Sequence, residues 1–269
     1  MATTLRPALF DATMNDKVTT AALQQMKRDG RKIVGVVLSD YQMAQIADRA
    51  GVDIVSAGDS VGVTLWGHDT DAEVTLDQML LVCRAVRRGV ARALVSCDVP
   101  LAALRQGVDA AVGAARRLTE EGGAELVKID AVSAPVDAVR AVTRVGIPVW
   151  AQFGIDPAAP IADRLQREAK ALEESGAALL DFRHSGPVAG PAVVAAVSIP
   201  VLGGLGGGPW LDGRVRAVVN AIGYLASAVG DTADRYANVA DAAHTAIKAL
   251  CDDVRAGRPI RGAPPARRS

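Results

Sequence analysis

Asp59 and Asp98 each close a short apolar run, DIVSAGD and ALVSCD. A third run, ELVKID, finishes in Lys128 and Asp130, and a later one, ALLDFR, carries Asp181 and Arg183. Residues two apart on an extended strand project to the same side, so Lys128 with Asp130, and Asp181 with Arg183, form same-face pairs. Two carboxylates with no histidine at ligand spacing suit a hard, oxygen-seeking ion such as magnesium. An ion shared by Asp59 and Asp98 would polarise a bound carbonyl and stabilise an enolate. A lysine beside such an ion can hold a substrate oxygen or carboxylate. Arg183 can grip an anion through two parallel N–H bonds.

Each of these residues has a purely structural alternative. Asp59 or Ser60, directly after Gly58, can cap a following helix. Asp98, two residues before Pro100, can start a turn. Lys128 and Asp130 can neutralise each other, and Arg183 can clamp Asp181 or Asp130, since buried charges need partners. His184 is either an acid–base group or a structural loop histidine. The glycine-rich GGLGGG (residues 203–208) lacks a following nucleotide-binding helix with a downstream acid. A tight loop, or a close backbone approach to substrate, fits it better. His68 and His244 have no ligand spacing and read as structural or exposed.

The elements that would position these groups alternate regularly. Strand-like runs are KIVGVVL, DIVSAG, ALVSC, ELVKI, IPVWAQF, ALLDF and IPVLGG. Between them lie helical patterns such as YQMAQIADRAG, TLDQMLLVCRAVRRG and VDAAVGAARRLTEEGG, several closed by a C-capping glycine. A helix, VTTAALQQMKRDG, precedes the first strand, and another, DRYANVADAAHTAIKALCDDVRAG, closes the pattern. An eighth strand falls in RAVVNAIGYLA, where helix competes closely. The expected fold is an α/β, single-domain (βα)8 TIM barrel, with a Rossmann-like open sheet as the alternative. Its expected limits are 17–258, with an extension over 1–16 and a disordered tail over 259–269. In such barrels, reacting groups gather at the C-terminal ends of the strands.

Composition supports that reading. Half of the 269 residues are hydrophobic but only 3% are aromatic, so the core must be built from Ala, Val, Leu and Ile. Thirty basic residues balance thirty acidic ones, which leaves no excess to attract nucleic acid or a charged membrane. No apolar run reaches the length of a membrane span, and the N-terminus lacks the apolar region of a secretory signal. Cys83, Cys97 and Cys251 are odd in number and form no CxxC pair, which favours a reducing, cytoplasmic setting.

Taken in order, these segments resemble the ketopantoate hydroxymethyltransferase family. The resemblance runs from KVTTAALQQMKRDGRKIV to DVRAGRPI, strongest at AGVDIVSAGDSVG, WGHDTDAEVTLDQML and RAVRRGVARALVSCDVP. ELVKID, IPVWAQFGIDP and LDGR add to it. It implies a magnesium-dependent barrel acting on 2-oxo acids, similar to phosphoenolpyruvate mutase and isocitrate lyase. Asp59 and Asp98 would hold magnesium. Ser60 and Lys128 would bind the oxo acid, and Asp130 would stand where the family has glutamate. The enolate would take a one-carbon unit from 5,10-methylenetetrahydrofolate, and the chain would form a large homo-oligomer, often a decamer. Two positions depart from the family. Its Gly-His reads Ala151-Gln152 here, which puts Gln152 among the substrate-binding groups. Its general-base glutamate aligns with Arg183, a poor base at neutral pH. That leaves Asp181 or His184 for proton transfer, an extra anionic group on the substrate for Arg183, or a lyase or decarboxylase in which bond cleavage itself makes the enolate. A barrel that binds without turnover is a further alternative.

Overall fold

A computed structural model describes residues 16–132, 136–154, 162–183 and 185–262. Eight parallel strands close into a barrel in chain order. They are β1 (Ile33–Leu38), β2 (Ile54–Ala57), β3 (Leu94–Asp98), β4 (Leu126–Asp130), β5 (Val149–Phe153), β6 (Leu179–Phe182), β7 (Val201–Gly203) and β8 (Gly213–Ala217). The helices that precede and separate them are α1 (Thr20–Arg28), α2 (Tyr41–Arg49), α3 (Leu76–Gly89), α4 (Leu101–Leu104), α5 (Val108–Glu120), α6 (Val136–Arg144), α7 (Ala162–Glu174) and α8 (Ala189–Ala196). The barrel expectation is met, and the open-sheet alternative falls.

The strand register sorts the residues by face. Ile54 pairs with Leu94, Ser56 with Ser96, Asp98 with Lys128, and Gln152 with Asp181. The first inward residue of each of the first seven strands is apolar: Ile33, Ile54, Leu94, Leu126, Trp150, Leu179 and Leu202 form one buried cluster. Val18, Leu23 and Met26 join it and plug the barrel's N-terminal end. Leu23 and Met26 lie one turn apart on α1, whose first turn is capped by Thr19 accepting from the Ala22 amide. Phe153 and Phe182 stack with centroids 4.6 Å apart, fixing β5 to β6 from their other faces.

The eighth strand differs from expectation. It begins at Gly213, before RAVVNAIGYLA, and only its last two residues enter that segment. Helical α9 (Val218–Ala221) follows at once. The strand's residues GRVRA are mostly half-exposed and include two arginines, so no apolar run marked it. Its glycine is needed for closure, because a Cβ at Gly213 would sit 2.3 Å from the Ile33 carbonyl oxygen.

The chain groups into two compact units, residues 1–216 and 217–269. Within the second, α10 (Val239–Arg255) follows α9, and Asn238 caps it by accepting from the Asp241 amide. Of the tail expected over 259–269, residues 259–262 are described, and the Arg261 side chain reaches within 3.5 Å of Asp253. The rest of that tail, and nearly all of the expected 1–16 extension, lie outside the described residues. No described helix is long and apolar enough to cross a membrane.

Candidate active site at the barrel mouth

Two residues above the apolar floor, the same strands turn polar. Ser56, Ser96, Lys128, Gln152 and Asp181 occupy the next inward positions, followed by Asp98 and Asp130 on β3 and β4. All of these but Lys128 and Asp130 are buried. Arg183 comes directly after β6, and its N–H still donates to the Phe153 carbonyl at 3.3 Å. The ladder therefore continues, and alternation sets the Arg183 side chain on the face of Asp181, exposed at the rim.

Asp98 is held by neighbours on and after β2. The Ser56 hydroxyl donates to Oδ1 at 3.3 Å and the Asp59 amide to Oδ2 at 3.4 Å. That approach requires Gly58, where a Cβ would lie 2.3 Å from the Val37 side chain. Asp98 thus accepts from the neighbouring strand end, which goes beyond the turn-starting alternative. The capping alternative for Asp59 and Ser60 also fails. A π-helical turn follows at Gly62–Trp66, its cap is Val61, and no side chain caps it. Such π turns recur where local geometry serves a ligand.

The electrostatics are those of a crowded acidic site. Burial, then the nearby Asp98 charge, raises the Asp59 carboxyl to a pKa of about 7. Burial also raises Asp98, against the pull of Lys128. Burial opposes the Lys128 charge as well, but the Asp98, Asp181 and Asp59 carboxylates outweigh it and push its pKa above the ordinary lysine value. The Lys128 ammonium lies 3.1 Å from Asp181 Oδ2 and 5.5 Å from the centre of the Trp150 ring. Its close partner is thus Asp181, two strands away, and not Asp130 on its own strand. Asp130 accepts from the Val132 amide at 3.0 Å.

Three buried polar atoms in the barrel interior have no hydrogen-bond partner: Ser96 Oγ, Trp150 Nε1 and Asp181 Oδ1. Native interiors seldom leave such atoms unmet unless water or a ligand serves them. Sequence reasoning passed over Ser56 and Ser96. Their signal was the period of two that joins Ser56 to Gly58 and Ser96 to Asp98.

The donor set suits a hard cation of modest protein coordination. Two adjacent carboxylates stay under-neutralised, as the raised Asp59 pKa reflects, and a divalent ion would relieve them. Among the described residues no group of three or more His, Cys, Asp or Glu gathers as a complete metal cage. Magnesium commonly accepts such a site, completing its octahedron with water and substrate oxygens. The remaining candidates fall elsewhere. Ser60 is half-buried beside Asp59. His68 stacks against Trp66 with centroids 6.0 Å apart, and His244 is exposed. In the glycine-rich loop, Gly204 O accepts from the Gly207 amide and the Arg214 guanidinium, which makes it a tight loop. His184 lies outside the described residues. The cysteines are free thiols, Cys83 and Cys97 buried.

The sequence profile of the ketopantoate hydroxymethyltransferase family matches residues 17–259. A 3-methyl-2-oxobutanoate hydroxymethyltransferase of Cyanothece sp. (strain PCC 7425 / ATCC 29141) is 35% identical over 252 residues, covering 88% of this chain and 96% of that protein. The enzyme of the same name from Moorella thermoacetica is 33% identical, covering 90% and 95%. Among solved structures, 2,3-dimethylmalate lyase, of the PEP mutase/isocitrate lyase superfamily, aligns with a TM-score of 0.63 at 15% identity, covering 92% of this chain and 91% of that one. Phosphonopyruvate hydrolase, in a complex with oxalate and Mg2+, aligns with a TM-score of 0.60 at 16% identity, covering 94% and 92%. These two likenesses speak for the fold.

Proposed function

The chain belongs to the ketopantoate hydroxymethyltransferase family and is a transferase of that kind; we propose that it adds a one-carbon unit from 5,10-methylenetetrahydrofolate to the enolate of a 2-oxo acid. The observation that carries this reading is the pairing of Asp59 and Asp98 at adjacent strand ends, with the Lys128 ammonium in their field. Asp59 and Asp98 would hold magnesium, which lowers the barrier to enolisation by withdrawing charge from the oxo group. The oxalate and Mg2+ of the phosphonopyruvate hydrolase complex are consistent with a 2-oxo acid and this ion on the fold.

The chain's own residues divide the remaining work. Lys128, kept protonated, holds a substrate oxygen or carboxylate, and Ser60 donates to the same carboxylate. Gln152, buried between Asp130 and Asp181 in the register, offers an amide to the substrate oxygens. Asp130 orders water or ligand beside the cation position. Asp181 accepts the C3 proton through Oδ1, its oxygen left free when Oδ2 meets Lys128. The burial of Asp181 keeps water from competing for the proton. Water adds to the methylene carbon of the folate co-substrate and both C–N bonds break, releasing tetrahydrofolate and formaldehyde. The enolate carbon attacks that carbonyl carbon, and the new alkoxide takes the proton held by Asp181 to become the hydroxymethyl group. We propose a homo-oligomer acting in the cytoplasm, as the family resemblance implies.

The test is magnesium-dependent exchange of the C3 proton of 3-methyl-2-oxobutanoate in deuterium oxide, followed by proton NMR without folate. Exchange that is lost in Asp181→Asn supports this reading. Calorimetric binding of magnesium and oxo acid with no exchange favours a lyase or decarboxylase instead, in which Arg183 in place of a carboxylate base would be no handicap. Binding with no turnover of any kind would leave a binding barrel.

A further inference from the structure

Resting on the 2-oxo-acid reading above, we infer that the rim of this site holds a second anion position at Arg183, so that the substrate is a 2-oxo acid with a further carboxylate at the far end of its chain. In a closed ring of eight strands, β6 stands opposite β2. The carboxylates that would hold the cation, Asp59 and Asp98, belong to the β2 and β3 ends. Arg183 lies on the inward-facing register of β6, next above Asp181. Its backbone N–H extends the ladder to the Phe153 carbonyl, which carries the side chain to the exposed rim of the opening.

The arginine is also uncommitted. Lys128 already meets Asp181, the nearest carboxylate below it on its own face. Among the described residues no carboxylate lies within ion-pair reach of Arg183, and its guanidinium donates no hydrogen bond to them. The site therefore offers two separate positive centres across one opening: a cation position at the β2 and β3 strand ends, and a fork of N–H donors on the β6 side. A 2-oxo acid anchored by its first carboxylate and oxo oxygen on one side would extend its chain toward the other. A planar guanidinium matches a terminal carboxylate bidentately, and a methyl or isopropyl end would leave the fork unanswered.

The experiment compares 2-oxopentanedioate with 2-oxopentanoate, the same carbon chain without the second carboxylate. Calorimetry in saturating magnesium is expected to show the dianion binding about tenfold tighter or more. In Arg183→Met the two affinities should converge to within about threefold, and Arg183→Lys, which keeps the charge but not the fork, should recover part of the preference. Equal binding by the unaltered protein, or a preference that survives in Arg183→Met, would overturn the second anion position and leave the 2-oxo-acid reading standing. Failure of both compounds to bind would overturn the two together.

Discussion

Along β4, Leu126 faces the floor of the barrel and Lys128, two residues on, faces its mouth. Along β3 the step is from Leu94 to Ser96 and Asp98, and along β6 from Leu179 to Asp181. The floor is uniformly apolar and closed from below by Leu23 and Met26. The mouth, built on the same strands, gathers like charges, a lysine kept charged against burial, and three polar atoms without partners. The floor gains stability from burial and packing. The mouth gives up part of that gain to groups that become fully satisfied only when cation and substrate arrive. Two residues of strand length are therefore enough to separate the part that holds the fold from the part that does the chemistry.

Substitutions should separate the two regions. Asp98→Ala is expected to reduce magnesium-dependent C3 exchange on the order of a thousandfold, equivalent to about 4 kcal/mol of barrier, with no loss of thermal stability. An unfolded variant would place Asp98 in the floor's class instead. Leu126→Ala should do the reverse. Truncating this fully buried side chain is expected to cost about 2–5 kcal/mol in urea unfolding, while the folded fraction keeps its affinity for magnesium.

The charge crowding of the mouth has a pH signature. Asp59 rises from 3.8 to about 7 on folding, so across that interval the native chain keeps a proton that the unfolded chain has released. Its contribution to the stability of the metal-free protein is fully present below the lower value and lost as pH rises through about 7. Asp59→Asn should flatten that slope in denaturant titrations, and an unchanged slope would show that Asp59 is not the group responsible. Because a cation must displace the same proton, magnesium affinity should weaken about tenfold per pH unit below the Asp59 pKa, read by calorimetry. The smallest effect is expected for Ser96→Ala. Its hydroxyl is buried without a partner, so removal should leave stability unchanged or raise it by up to about 1 kcal/mol. A loss as large as that of a floor residue would mean that an ordered water serves this oxygen.

Much of this architecture was legible in the sequence. Seven strands declared themselves as apolar runs, and five of them, β2, β3, β5, β6 and β7, are buried on both faces between barrel interior and helices. Their terminal charges stood out because such runs rarely end in carboxylates. The eighth strand did not, since GRVRA is largely half-exposed and lacks an apolar run. The π turn at Gly62–Trp66 also escaped notice, because its hydrogen-bond spacing leaves no hydrophobic period to read.

Residue type and local periodicity were enough to give the βα rhythm and the set of charged residues at the strand ends, and the ordered resemblance of whole segments pointed to the family. Who meets whom was settled by the closed barrel alone. Lys128 pairs with Asp181 from β6, and not with Asp130 on its own strand, because barrel closure staggers neighbouring strands and brings residue 128 to the level of 181 across β5. That choice leaves Arg183 uncommitted at the rim, a consequence of register that no local pattern encodes.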